Sequence, residues 1–175
     1  MLSDTLGPAQ IAALLALIQR ALEELYSKRN TQRLLVDGAW EEGRDFYPVV
    51  AVTHVSWIAG LAFLVPSNAP VQFLPLAIFI ALQPLRYWII ATLGRFWTHR
   101  TISVPRAPIV KSGPYRLIRH PNYAVTIAET FVLPLAFGQF AFAVIFTLWI
   151  VVLRHKIQLE DAALAKRCLR VEIVP

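Results

Sequence analysis

Two apolar runs, 46–65 and 71–93, constrain this chain more than any other feature. Each holds about twenty residues, and a helix of that length crosses the ~30 Å hydrocarbon core of a bilayer. The first run carries His54 near its centre. The second is punctuated by Pro75, Gln83, Pro84 and Arg86. Three further segments follow the same logic. Segment 8–26 has Pro8 in its first turn, then a short apolar stretch followed by Gln19, Arg20, Glu23 and Glu24. It either spans with its end among the headgroups or lies along the interface. Segments 123–137 and 140–153 are short for a span, and Gly138-Gln139 between them reads as a tight turn. They form a helical hairpin. The second of them continues through Arg154 into a polar C-terminal helix that ends near Leu169. The expected fold is therefore all-α: a polytopic membrane helical bundle of about five transmembrane helices, with a C-terminal hairpin and an interfacial C-terminal helix.

Composition agrees. The chain is 57% hydrophobic and 16% charged, whereas soluble domains average ~45–50% and ~25%. At 175 residues it is long enough for one domain. The apolar block 11–18 lacks a basic leader and a small-residue cleavage site, so it is not read as a signal peptide. A net charge of +6 on a soluble chain would suggest nucleic acid, but no soluble domain is left to present a basic groove. The positive residues instead follow the positive-inside bias. Lys28, Arg29, Arg33 and Arg44 lie between segments one and two. Arg95, Arg100, Arg106, Lys111, Arg116 and Arg119 lie between three and four. Arg154, Lys156, Lys166, Arg167 and Arg170 follow five. Five spans put all three groups on one side, which predicts a multi-pass protein of a bacterial inner membrane with its C-terminus in the cytoplasm. The single Cys168 allows no internal disulfide and no multi-cysteine metal site, and it reads as a filler residue. No metal and no nucleic-acid partner are expected.

The region 95–122 carries the chemistry. It holds Arg95-Phe96-Trp97-Thr98-His99-Arg100, a stretch punctuated by Pro105 and Pro108, and then Gly113-Pro114-Tyr115-Arg116-Leu117-Ile118-Arg119-His120-Pro121-Asn122-Tyr123. Gly113-Pro114 marks a turn, after which Pro114 opens a short helix. Pro121 keeps His120 out of helical geometry and suits the first position of the next helix. That helix starts on the basic side with free backbone N–H groups beside Arg119 and His120, an arrangement suited to a carboxylate or a phosphate. The bland alternative is a basic loop against lipid phosphates. After segment five, Glu160 and Asp161 stand in a charged helix where Lys156 and Glu160 are four apart. They form either a solvated pair or a receptor for a cationic ligand group near His120. Inside the segments, Glu129, His54 and Arg86 are ionisable at depth, and such groups face a protein interior or a cavity. Glu129 is the functional choice, His54 a helix contact, and Arg86 snorkels to the basic side.

Arg119-His120-Pro121-Asn122-Tyr123, then a hairpin, then Glu160-Asp161, resembles the isoprenylcysteine carboxyl methyltransferase family. Its hallmark is Arg-His-Pro-x-Tyr-x-Gly followed by a hairpin and an acidic pair. The likeness is specific over 95–164 and looser at Arg29-Asn30 and 38–42. It suggests the bacterial branch of small members, some of which methylate lipophilic polyketide phenols and pyrones. Val125 replaces the motif glycine, Lys156 an expected arginine, and Asp161 a glutamate. A lysine cannot reproduce the bidentate fork of arginine.

The resemblance implies one domain over 1–175, with membrane helices in 1–94 and a cofactor-binding half in 95–175. It also implies S-adenosylmethionine as cofactor, and a lipid bilayer and a lipophilic or prenylated acceptor as partners. Arg119, His120, Pro121 and the helix start would take the cofactor carboxylate, and Glu160 with Asp161 its ammonium. Tyr123 would touch the ribose or adenine, with Tyr115 and Trp97 as further aromatic candidates. Methyl transfer from a sulfonium is a direct displacement in which alignment does the work. A carboxylate acceptor needs no base. A phenol benefits from a base or a nearby cation, and Glu129, Arg154 and His99 are the residues available for that role. Two other readings remain. A membrane sterol-reductase-like enzyme would bind NADPH, which cofactor titration tests. A non-catalytic scaffold would tolerate His120→Ala and Glu160→Ala.

Overall fold

Pro8 opens the first helix, α1 (Pro8–Val36), and Gln10 folds back to accept from the Gly7 amide at 3.1 Å, closing its first turn. The computed structural model describes residues 6–105, 107, 110–148 and 150–172. Arg106 and Pro108 lie outside the described residues, as do the side chains of Leu164, Lys166, Arg167, Cys168, Leu169 and Arg170. Helix α1 runs ten residues beyond the expected end at Tyr26. The reason is a stripe that apolar periodicity does not register. Glu23, Ser27, Asn30, Thr31 and Leu34 share one buried face at helical spacing. Ser27 accepts from the His99 amide at 2.8 Å, and Asn30 donates to the carbonyls of Gly94 (3.1 Å) and Trp97 (2.9 Å). The lower half of α1 thus clamps the loop that follows the third helix.

Helices α2 (Tyr47–Phe63) and α3 (Phe73–Leu93) fall where the two long apolar runs predict them. The stretch Phe73–Phe96 is long and apolar enough to cross a membrane, and little of it is buried inside the protein. The 17-residue Tyr47–Phe63 is apolar but shorter. The rest of the chain forms α4 (Pro121–Leu135), α5 (Phe140–Thr147) and α6 (Ile150–Glu172). Gly138 turns the hairpin with φ +71°, a conformation that favours glycine. Segment 140–153, expected as one helix, is interrupted after Thr147, whose hydroxyl bonds back to the Ala143 carbonyl at 2.6 Å. Such back-bonding competes with the regular helix ladder.

Small residues set the packing. Ala9, Ala13 and Ala16 give α1 a flat face buried against Trp57, Ile58 and Leu61 of α2 and Leu133, Ala136 and Phe137 of the hairpin. Small side chains let helix backbones approach closely. The opposite face of α1 leaves Leu14, Leu15, Ile18, Leu22 and Leu25 about half exposed. Helix α4 packs between α3 and α5.

A two-stranded antiparallel ribbon, β1 (Trp40–Glu42) with β2 (Thr101–Ser103), was not expected from the sequence. Three-residue strands are too short for a period-two signal. The ribbon packs against α6 and holds the loop after α3 against the C-terminal half.

Candidate active site

The start of α4 is built as the sequence requires. His120 caps it in a non-helical conformation (φ −125°, ψ 64°), and Pro121 takes the first helical position, buried. The preceding Gly113–Arg116 forms one 3-10 turn. Gly113 has φ +52°, and a Cβ there would lie 2.7 Å from the Thr92 hydroxyl. This glycine therefore lets the turn lie directly on α3 and sets the height at which Arg119–Tyr123 emerge.

These residues meet the acidic pair of α6. The Tyr123 hydroxyl donates to Glu160 Oε1 at 2.5 Å. His120 Nε2 is 3.2 Å from Asp161 Oδ1, its Nδ1 is 3.8 Å from Glu160 Oε2, and Arg119 Nη1 is 3.4 Å from Asp161 Oδ1. The His120 and Tyr123 rings lie 5.8 Å apart. Burial, with the charge of Glu160, pushes the Tyr115 phenol above its usual range. Asp161 is 38% exposed and Arg119 77%, so the cluster opens to the surface.

Other expected residues sit elsewhere. Lys156 does not pair with Glu160. It turns inward, buried, and donates to the His99 carbonyl at 2.5 Å, with its ammonium 5.7 Å from the Tyr123 ring. Trp97 is buried against Tyr26 at 5.9 Å and serves packing. Arg154 is exposed on α6. Val125, at the motif glycine, is buried on α4.

Glu129 belongs to a separate polar cluster. Arg86 does not snorkel: it is 2% exposed and donates to Glu23 at 2.6 and 2.7 Å and to Glu129 at 3.1 Å. Arg20 reaches Glu23 at 2.8 Å and Glu129 at 2.5 Å, and Gln83 donates to the other Glu129 oxygen at 3.1 Å. Two arginines and two glutamates thus join α1, α3 and α4 with no net charge. Carboxylates on neighbouring helices give Arg86 a nearer partner than the interface. Sequence reasoning noted Arg20 and Glu23 but gave them no partners, because the contact joins residues up to 109 positions apart. His54 bonds to the Val50 carbonyl of its own helix at 3.2 Å.

The donor set suits the methionine end of a sulfonium cofactor. Two carboxylates face an arginine, a histidine and a helix start, so an ammonium and a carboxylate can each exchange with a group already present. Asn122 Oδ1, in the first turn of α4, is buried and has no hydrogen-bond partner among the described residues. Among the described residues, no cluster of three or more His, Cys, Asp or Glu could hold a metal ion.

A helical protein with a membrane-length apolar helix and a histidine–tyrosine–carboxylate cluster at the end of a hairpin is the class these features define. The sequence model of the isoprenylcysteine carboxyl methyltransferase family matches residues 75–166, and the chain belongs to that family. Its relatives include the uncharacterized protein YpbQ of Bacillus subtilis, 32% identical over 153 residues, covering 85% of this chain and 91% of that protein. An uncharacterized protein of Haemophilus influenzae is 23% identical over 146 residues, covering 79% and 84%. No solved structure matches the chain. Family membership implies methyl transfer and a membrane association.

Proposed function

We propose that this chain is an integral-membrane O-methyltransferase that uses S-adenosylmethionine to methylate a lipophilic acceptor. One observation carries the reading. The arginine–histidine–tyrosine motif at the start of α4 meets Glu160 and Asp161 of α6 across 37 to 42 residues of sequence. The cofactor supplies an electrophilic methyl group, and the protein supplies position. Arg119, His120 and the α4 start, opened by Pro121, hold the cofactor carboxylate. Glu160, supported by Asp161, holds its ammonium. Tyr123 orients Glu160 and lies against the nucleoside, with Tyr115 beside it. Holding two reactants in line can contribute ~7–11 kcal/mol to lowering the barrier.

The whole chain acts as one domain in this reading, with 1–94 forming membrane helices and 95–175 the cofactor-binding half. Exposed leucines, valines and phenylalanines on α1, α2 and α3 support several helices in contact with lipid. The cationic loops support a cytoplasmic C-terminus in a bacterial inner membrane. The acceptor, an isoprenylcysteine-type carboxylate or a long-chain phenol or pyrone, enters from the bilayer. Glu129 acts by fixing α4 through its arginine pairs, and Arg154 offers a cation at the acceptor entrance.

The test is calorimetric binding of S-adenosylhomocysteine to detergent-purified protein, with His120→Ala alongside. Saturable binding that the variant loses is expected. Absence of binding by folded wild type would end the proposal.

A further inference from the structure

Beside the cofactor cluster lies a cleft lined by Glu41, Tyr47, His99, Arg100, Thr101 and Lys156, between the ribbon, the first turn of α2 and α6. Arg100 is neutralised there, 3.1 Å from Glu41 and 4.8 Å over the Tyr47 ring. Lys156 is not. It is 7% exposed, and its hydrogen bond to the His99 carbonyl engages one of its three ammonium donors. Among the described residues, no carboxylate lies within ion-pair distance of it. Burying a cation in that state is unfavourable, and an anion in the cleft would offset the cost. Burial holds the Lys156 amine below its usual range, and the charges of Glu160 and Glu24 act the other way.

His99 is held from several sides. Its Nδ1 is 2.8 Å from Glu24 Oε2, and the Tyr47 hydroxyl engages the same carboxylate. Its amide donates to Ser27, and its ring packs edge-on against Trp97 at 4.7 Å. Burial, helped by Lys156 and Arg20 and opposed by Glu24, holds the imidazole below its usual range. A neutral ring donating Nδ1–H to Glu24 leaves Nε2 with its lone pair, the form of a carboxylate-oriented general base. The charged and titratable groups around it are Glu24 and Arg20 of α1, Tyr47 and His54 of α2, Glu41 of β1, Arg100 just before β2, and Lys156 of α6.

Resting on the methyltransferase reading, we infer that His99 and Lys156 form the acceptor-oxygen subsite: His99 Nε2 takes the proton of a weakly acidic hydroxyl, and Lys156 holds the resulting oxyanion beside Tyr123. The O–H bond breaks, and the oxygen keeps the electron pair. That pair forms the new O–C bond with the methyl carbon while the C–S bond breaks, and its electrons return to sulfur to leave a neutral thioether. The imidazolium then releases its proton to water. A carboxylate acceptor would use neither the base nor the proton route.

A long-chain 2-nitro-4-alkylphenol tests the anion site, because the nitrophenolate absorbs visible light and the phenol does not. In detergent, wild type should lower its apparent ionisation pH enough to raise the ionisation constant at least tenfold over empty micelles. Lys156→Gln should lose that shift and Lys156→Arg should keep it. An unshifted probe on wild type, or the full shift in Lys156→Gln, overturns the anion site. The corresponding alkylphenol without the nitro group tests the base. Its methylation should fall as pH drops through the His99 range, and His99→Gln should be slower by roughly 10²-fold and lose that acidic limb. Equal rates and profiles, or no methylation of this phenol, overturn the role of His99. S-adenosylhomocysteine calorimetry separates the two levels. Cofactor binding without a probe shift ends this inference alone, whereas a probe shift without cofactor binding ends the methyltransferase reading.

Discussion

The protein uses the same groups, carboxylates against cations, in two places and to different effect. The Arg20–Glu23–Arg86–Glu129 cluster is closed: its ion pairs run from 2.5 to 3.1 Å, and its members are 1 to 14% exposed. The Arg119–His120–Glu160–Asp161 cluster is open: its pairs run from 3.2 to 3.8 Å, and its members are 18 to 77% exposed. Short, dry pairs resist exchange because breaking one strands a buried charge. Loose pairs at an opening can trade a partner for a ligand group. The first cluster joins three helices, and the second is open at the surface.

Breaking the closed cluster should give the largest effect. Arg86→Met or Glu129→Met alone should cost about 3–5 kcal/mol, read as a loss of thermal stability in detergent. The double variant leaves Arg20 paired with Glu23 and should be less damaging than the sum of the two by at least ~1 kcal/mol. Strict additivity would mean that the four side chains do not act as one unit. In the open cluster, Glu160→Gln should weaken S-adenosylhomocysteine binding by roughly 10- to 100-fold, as expected for a charge-assisted bond, with membrane insertion and thermal stability kept. Unchanged affinity would remove Glu160 from the site.

A third measurement sharpens the contrast through pH. His99 is held below its usual value, chiefly by burial, so the unfolded chain takes up its proton first as pH falls. Its contribution to stability is therefore complete above about pH 6.5 and is lost as pH drops through the folded-state value. Melting temperature should decline on that acid side, and His99→Gln should flatten the decline. A variant with the wild-type slope would assign it to other groups. The smallest effect is expected at Arg154, exposed on α6. Arg154→Gln should change cofactor affinity by less than about threefold, in line with exposed charges elsewhere. A larger loss would bring Arg154 into the cofactor site.

Much of this architecture was legible in the sequence, for local reasons. Pro121 after His120 sets where α4 begins, Gly138 sets the hairpin turn, and the two long apolar runs set α2 and α3. The extension of α1 was not legible, because its buried stripe is polar and its partners lie in the loop after α3. Neither was the ribbon, whose strands are 61 residues apart at Trp40 and Thr101.

The sequence by itself determined the membrane-length helix α3, the shorter apolar helix α2, the helix start at His120-Pro121 and the residue types of the candidate site, since propensity, proline geometry and apolar length act within a few neighbours. Only the tertiary structure decided which charges are spent on structure and which stay available. Glu129 and Arg86 found each other inside the bundle, Glu160 found Tyr123, and Lys156 turned from Glu160 to the His99 carbonyl. The physical reason is that pairing energy depends on distance and burial, and both are set by how distant segments pack.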